Sequence, residues 1–274
     1  MTRTITQYDP GHDPRSTHYA LKQKGHVMQA VILRDVRTRF FNHGLGFLLV
    51  PLWPLAHMFI LLMIYTFMGR KAPFGDSLRL FFATGLLPCL TFMYVSRFMA
   101  LSIVINRPML AIPAVKVLDI LFARAFLEVI AAFLMVFLTF LILLSLGDNP
   151  FPNDWEQATL AFLSTILLAI GVGVLVGVIT SMFTFFATVY ALTLIVVYIS
   201  SGTLFVVSAL PAQAAYALSW NPALQAVEWM RSAFFPTYNS PVLDKYYLLS
   251  FGLGALFLGL VLERSVRRIV LEGK

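Results

Sequence analysis

The sequence predicts an all-α polytopic membrane protein, and three observations carry that prediction. Of its 274 residues, 59% are apolar and only 12% charged, whereas a soluble domain carries about 25% charged and 45–50% apolar residues. The apolar residues gather into runs that reach or exceed the roughly 20 residues a spanning helix needs. Charged or turn-forming segments separate these runs into six intervals.

Residues 1–25 are polar and broken by Pro10, Gly11 and Pro14. No apolar stretch follows a basic start, so a cleavable signal peptide is not expected and the tail should remain cytoplasmic. Within 26–44, Met28, Ile32, Val36 and Phe40 recur at helical spacing, with Arg34, Asp35, Arg37 and Thr38 on other sides. Asp35 lies four residues before Arg39, a spacing that allows pairing on one helix face. The pattern suits an amphipathic helix in the membrane interface. A solvated helix docked on a partner is the other reading.

The first span is expected at 45–68, kinked by Pro51 and Pro54, whose freed carbonyls neighbouring helices can cover. His57 within it has no second ligand one turn away and reads as a packed or pore-facing histidine. The second span runs about 80–105 and contains Arg97. The third covers about 120–146, with Arg124 and Glu128 four apart and able to pair. A cluster of turn formers at 147–154 follows. The next long apolar interval divides near 180–186 into spans at 158–179 and 187–207, and a sixth span occupies 246–262, followed by a basic tail at 263–274. Most of the twenty Lys and Arg fall on one face if both termini are inside, as the positive-inside rule requires. The net charge of +7 is thus topological and does not indicate nucleic acid.

Phosphate-loop, dinucleotide, zinc-protease and nucleophile-elbow motifs are all missing from the sequence, so the chain is not expected to hydrolyse ATP or to be an enzyme. Gly173 and Gly177 form a small-xxx-small face suited to helix packing rather than to phosphate. Cys89, the single cysteine, lies in an apolar stretch and behaves as a small hydrophobe. Arg97, Arg124 and Glu128 are the charges most embedded in apolar sequence. A charge at mid-bilayer costs about 2.5–3.5 kcal/mol on insertion scales, so such groups pair, snorkel or face water. For Arg124 the partner is Glu128, a structural pair. For Arg97, snorkelling and a watery path stand side by side. Two stretches are too apolar for ordinary loops and too broken for spans: 106–119, expected as a short helix contacting a soluble partner, and 208–244, expected as short helices folded into the outer leaflet.

These residues together resemble the permease subunits of type-2 ABC exporters, in the capsular-polysaccharide branch, with the O-antigen branch close by. The matching features are residues 33–40 with Leu45, Gly46, Pro54 and His57; Asn106, Pro113, Lys116, Asp119, Arg124 and Glu128; and Trp220, Asn221, Pro222, Glu228, Arg231 and Pro236. They occur in family order along nearly the whole chain after Leu33. Phe41 stands where the family has glycine, and the tryptophan expected after Leu45 and Gly46 is absent.

The resemblance implies six spans (45–262) behind an interface helix carrying Arg34, Asp35, Arg37 and Arg39. It implies a cytoplasmic coupling helix at 106–119, with Asn106, Arg107, Lys116 and Asp119 facing a separate ATPase. External gate helices at 208–244 would carry Trp220, Asn221, Pro222, Glu228 and Arg231. Two copies would form a canal in the inner membrane, and Arg97 would lie on the substrate path. Two ATPase copies would hold the ATP and Mg, leaving this chain without cofactor or metal, and periplasmic adaptor and outer-membrane export proteins would continue the route. The implied substrate is a capsular polysaccharide, acidic and lipid-linked. Rival readings are an O-antigen, lipid or drug exporter of the same fold, a membrane-embedded glycan transferase, and a structural scaffold.

Overall fold

The computed structural model describes residues 17–39 and 50–272. Expectations for 1–16, 40–49 and 273–274, including Leu45, Gly46 and the start of the first span, lie outside the described residues. Among the described residues there are nine α-helices, two short 3-10 turns and no strand. The helices are α1 (Thr17–Arg39), α2 (Leu52–Phe67), α3 (Leu78–Ile105), α4 (Val117–Ser145), α5 (Trp155–Met182), α6 (Phe186–Ile199), α7 (Ala212–Ser219), α8 (Pro222–Phe234) and α9 (Lys245–Glu272).

Side-chain caps set several of the starts. Ser77 Oγ accepts from the Leu80 amide at 3.2 Å, Asp154 Oδ1 from Gln157 at 3.0 Å, and Asn221 Oδ1 from Ala223 at 2.9 Å. Each satisfies a donor that a helix N-terminus would otherwise leave orphaned. Pro222 at the first position of α8 removes one such donor outright.

α5 is the central helix, with α3 and α9 packed on it. Its glycines permit that approach. A Cβ on Gly173 would lie 2.8 Å from Met99 Cβ, and one on Gly177 would lie 3.0 Å from the Met99 carbonyl. On the α9 side, a Cβ on Gly171 would collide with the Gly252 carbonyl, and one on Gly259 would lie 2.8 Å from the Leu175 amide. Lipid offers no hydrophobic gain for helix association, so close van der Waals packing through small residues must supply it. The expected use of Gly173 and Gly177 is therefore what the structure contains, and Gly171, Gly252 and Gly259 extend the device to a second interface.

The all-helical membrane class is borne out, while six full spans are not confirmed by helix length. Among the described residues, four helices, α3, α4, α5 and α9, are long and apolar enough to cross a membrane. α2 and α6 have 16 and 14 residues, about 24 and 21 Å of helix at 1.5 Å per residue, against about 30 Å of hydrocarbon. α5 ends at Met182 and α6 begins at Phe186, so the chain breaks within the expected 180–186, and α6 stops at Ile199 where the sequence suggested helix to 207. The reason for that stop is tertiary: Gly202 adopts φ 75°, and the carbonyls of this turn are taken up by α8, as described below. α1 begins at Thr17 and so reaches back into the stretch expected as tail.

Candidate coupling site and outer latch

At one end of the bundle, α1 lies against the turn joining α3 to α4. Val31 is buried with Met109, Val115, Ile120 and Ala123, while Val27, Met28 and Ile32 pack around them. This differs from an apolar face turned to lipid: the face centred on Val31 is covered by protein, and Leu33 is the exposed apolar side chain. Sequence periodicity locates an apolar stripe but not what covers it.

The polar groups beside this packing form a connected cluster. Asn106 Nδ2 donates to Asp35 Oδ1 at 3.0 Å, Arg124 lies 3.2 Å from Asp35 Oδ2, and Arg124 also lies 2.6 Å from Glu128 Oε1. All four side chains are buried, at 2–3% exposure, so each needs its partners, because an unpaired charge in low dielectric is strongly destabilising. Asp35 therefore pairs across the fold with α4, a contact that the spacing along α1 does not contain. The side chain of Arg39 lies outside the described residues. A second link runs from Lys24 to Asp119, with Nζ 2.7 Å from both carboxylate oxygens. Asp119 also accepts from the Lys116 amide at 2.9 Å, fixing the start of α4.

Among the residues expected to meet an ATPase, Arg107 and Lys116 are exposed, whereas Asn106 and Asp119 are buried. Between the two cations, Ala111, Ile112, Pro113 and Ala114 stand exposed as an apolar knob. The 3-10 turn Arg107–Ala111 shapes this knob, so the expected short helix is a tighter, shorter element. Beside it, Gln23, Lys24, Val27, Pro113, Ala114 and Lys116 line a cleft of about 290 Å³. On α1, Arg37 is exposed and Arg34 half-buried.

At the opposite end, α7 and α8 return into the bundle, and α8 is wedged among α3, α5 and α9. Glu228 and Arg231, expected at a gate, are fully buried on α8. The Arg231 guanidinium donates to the carbonyls of Gly202 at 2.7 Å, Phe205 at 2.9 Å and Thr203 at 3.0 Å. It also lies 4.0 Å from the Phe81 ring centroid and 3.8 Å from Glu228 Oε1. The Tyr238 hydroxyl donates to Glu228 Oε1 at 2.8 Å. Arg231 thus replaces the missing helical hydrogen bonds of the turn after α6, which is why irregular backbone can persist there. Asn221 Nδ2 donates to the Val197 carbonyl and to Ser200 Oγ, both at 2.9 Å, tying the start of α8 to the end of α6. Trp220 is exposed and makes edge contacts with Tyr216 and Tyr247.

Arg97 sits on the exposed side of α3, in a groove facing α6. His57 stacks near Tyr198, with ring centroids 5.4 Å apart, and no metal-binding group of side chains occurs among the described residues. Sequence reasoning missed Lys24, Gln225 and Tyr238. Gln225 is buried, donates to the Ser219 and Val242 carbonyls and accepts from the Asp244 amide. Its signal was a lone amide amid apolar residues of a strongly amphipathic stretch.

Lys24, Asp35, Asn106, Asp119 and Arg124 gather at the α1 end. Arg79 pairs with Asp148, and Lys245 donates to Gln157, at the α8 end.

Over 239 residues the chain is 32% identical to the polysialic acid transport protein KpsM of Escherichia coli, a match covering 87% of this chain and 93% of that protein. The chain belongs to the capsule polysaccharide export permeases of type-2 ABC exporters. Other members of this permease family extend the match. The capsule polysaccharide export inner-membrane protein BexB of Haemophilus influenzae is 26% identical over 253 residues, 92% of this chain and 96% of its own. The capsule polysaccharide export inner-membrane protein CtrC of Neisseria meningitidis serogroup B is 27% identical over 234 residues, 83% of this chain and 88% of its own. No protein-family model matches the chain.

Proposed function

We propose that this chain is the transmembrane permease subunit of an ABC transporter exporting capsular polysaccharide across the inner membrane. The observation that carries the reading is likeness to KpsM along 87% of this chain and 93% of that protein, too complete to reflect one shared motif. Two copies enclose a canal, and both termini are cytoplasmic. All six apolar helices lie in the membrane, with α2 and α6 sheltered by the second copy because they are too short to span alone. A separate ATPase, present twice, holds ATP and Mg. Periplasmic adaptor and outer-membrane export proteins receive the polymer.

The mechanical part of the proposal starts at the exposed knob of Ile112 and Pro113, flanked by Arg107 and Lys116. ATPase closure pushes on this knob. The Lys24–Asp119 pair and the cluster of Asn106, Asp35, Arg124 and Glu128 make α1, the turn and the start of α4 move together. Coupling of this kind needs two arrangements that nucleotide states favour differently. The other end of the path is the turn after α6, held by Arg231, next to the gate helices α7 and α8. Arg97 offers a cation to an acidic polymer, stronger in a low-dielectric canal than in bulk water.

Deleting the gene tests the reading. Capsular polymer is expected to accumulate in the cytoplasm and return to the surface on complementation. Unchanged surface polymer in the deletion strain overturns the assignment.

A further inference from the structure

The end of the bundle opposite α1 contains a series of internal contacts that begins in the loop between α2 and α3. Phe74 packs edge-on against Tyr238, with ring centroids 5.0 Å apart, and against Phe235 at 5.6 Å. Gly75 permits this seating: its φ of 74° turns the loop, and a Cβ there would lie 2.7 Å from Phe235 Cε1. Phe235 and Tyr238 are both buried. The Tyr238 hydroxyl reaches both oxygens of Glu228, at 2.8 and 3.0 Å. Glu228 in turn lies 3.8 Å from Arg231, which holds the carbonyls of Gly202, Thr203 and Phe205. These contacts lead without a gap from the α2–α3 loop to the turn after α6.

Water cannot stand in for these partners. Glu228 and Arg231 are fully buried, so each can exchange a partner only for another member of the same network. The turn depends on that supply. Ser201, Gly202 and Thr203 are buried yet lie beyond the end of α6 in irregular backbone, which persists in apolar surroundings only while its carbonyls are satisfied from elsewhere. Arg231 satisfies them, the Phe81 ring and Glu228 fix where Arg231 stands, and Tyr238 fixes Glu228. Gly85 leaves the room: a Cβ there would lie 2.8 Å from Arg231 Nη2 and 3.3 Å from the Thr203 carbonyl. Every one of these contacts is internal to one chain, so the network does not depend on what packs around the molecule.

We propose that Phe74 and Tyr238 are positioning residues for the far end of the export path: through Glu228 and Arg231 they set the conformation of the turn after α6, so that the α2–α3 loop and this turn move as one body. The inference rests on the reading above that places this turn on the path, but the linkage itself is independent of the cargo. Neither residue has to touch polymer. Together they form a strut between two segments, and a closely packed junction of rings and charges shifts between discrete arrangements because intermediate positions leave buried groups unpaired.

Hydrogen exchange of the full-length permease in nanodiscs, read by mass spectrometry, tests the linkage. Phe74→Leu keeps an apolar side chain but loses the edge contacts, and is expected to speed exchange in 200–206 about tenfold, the upper end of what one aromatic pair contributes. Phe74→Tyr keeps the ring and should exchange like the wild type, whereas a need for apolar bulk alone would be met by Leu. Tyr238→Phe keeps the ring against Phe74 and removes only the hydroxyl that reaches Glu228. It is expected to speed exchange in 200–206 while leaving 69–76 unchanged, which keeps the test decisive if Phe74→Leu folds poorly. Phe74→Leu with Tyr238→Phe should exchange in 200–206 no faster than the quicker single variant, since both cut one series of contacts. Wild-type exchange in 200–206 in either single variant, or additive effects in the double, overturns the linkage. Export assayed on the same variants tests the positioning role. Export lowered several-fold in Phe74→Leu and Tyr238→Phe but normal in Phe74→Tyr supports it, and normal export in all three overturns it. Should deletion of the gene leave surface polymer unchanged, the export arm falls with the functional reading, while the exchange arm still decides the linkage.

Discussion

Arg231 and Asp35 illustrate how a single side chain acts when it is charged and buried in apolar surroundings. Arg231 donates to three carbonyls of one turn, so its removal leaves those acceptors and Glu228 without their cation. Arg231→Met is expected to destabilise the protein by about 3–5 kcal/mol, the usual cost of breaking one partner from a buried ionic network, read as a lowered unfolding temperature in detergent. Glu228→Gln should cost less, because Tyr238 can still donate to the amide oxygen. The double variant should cost less than the sum, since the two residues share one network. Asp35 poses the parallel case at the other end. Asp35→Asn preserves size and keeps an acceptor for Asn106 but removes the charge facing Arg124. It is expected to weaken the link between α1 and α4, seen as reduced ATPase stimulation by the assembled complex with the protein still in the membrane.

Among the elements, α5 and α9 are held by close backbone approach, and the turn between α3 and α4 by its exposed knob. Gly259→Leu would drive a side chain into the backbone of Leu175, where nothing flexible can yield. Loss of folded protein from the membrane is expected, whereas Gly254→Leu, with open space around its Cβ position, should accumulate normally. The knob predicts the reverse separation of folding from function. Ile112→Asp alters an exposed side chain and should leave accumulation unchanged while lowering ATPase stimulation several-fold. Wild-type stimulation in that variant removes the knob from the coupling path. The glycine pair Gly173 and Gly177 was legible because small residues spaced by four share a face. Gly252 and Gly259 carry the same kind of signal at a spacing of seven, but their partner surface is visible only after α5 and α9 are side by side.

The whole molecule has two polar ends joined by an apolar middle whose short helices, α2 and α6, expose broad apolar faces. Trp53, Phe67, Leu192, Val196 and Ile199 are all more than 60% exposed. If a second copy shelters these helices, a cysteine placed at Val196 should form a cross-linked dimer in membranes, while one at Phe257 on the long lipid-facing helix α9 should not. The native Cys89 is fully buried and donates to Ser201 at 3.4 Å, so it will not compete in the cross-linking. Equal cross-linking at both positions would rule out this dimer face.

The sequence by itself determined the class and the order of the apolar segments. Apolar runs set which segments can enter a bilayer, and the positions of Lys, Arg, Pro and Asn set where they begin and end, because insertion energy depends mainly on local composition. The pairing of Arg124 with Glu128 was also legible, since four residues on one helix guarantee proximity. Only the tertiary structure decided that Asp35 pairs with Arg124, that α6 ends at Ile199, and that Glu228 and Arg231 are buried inside the bundle. Those outcomes depend on which distant carbonyl, carboxylate or glycine arrives beside a residue when helices pack, and no window of local sequence contains that partner.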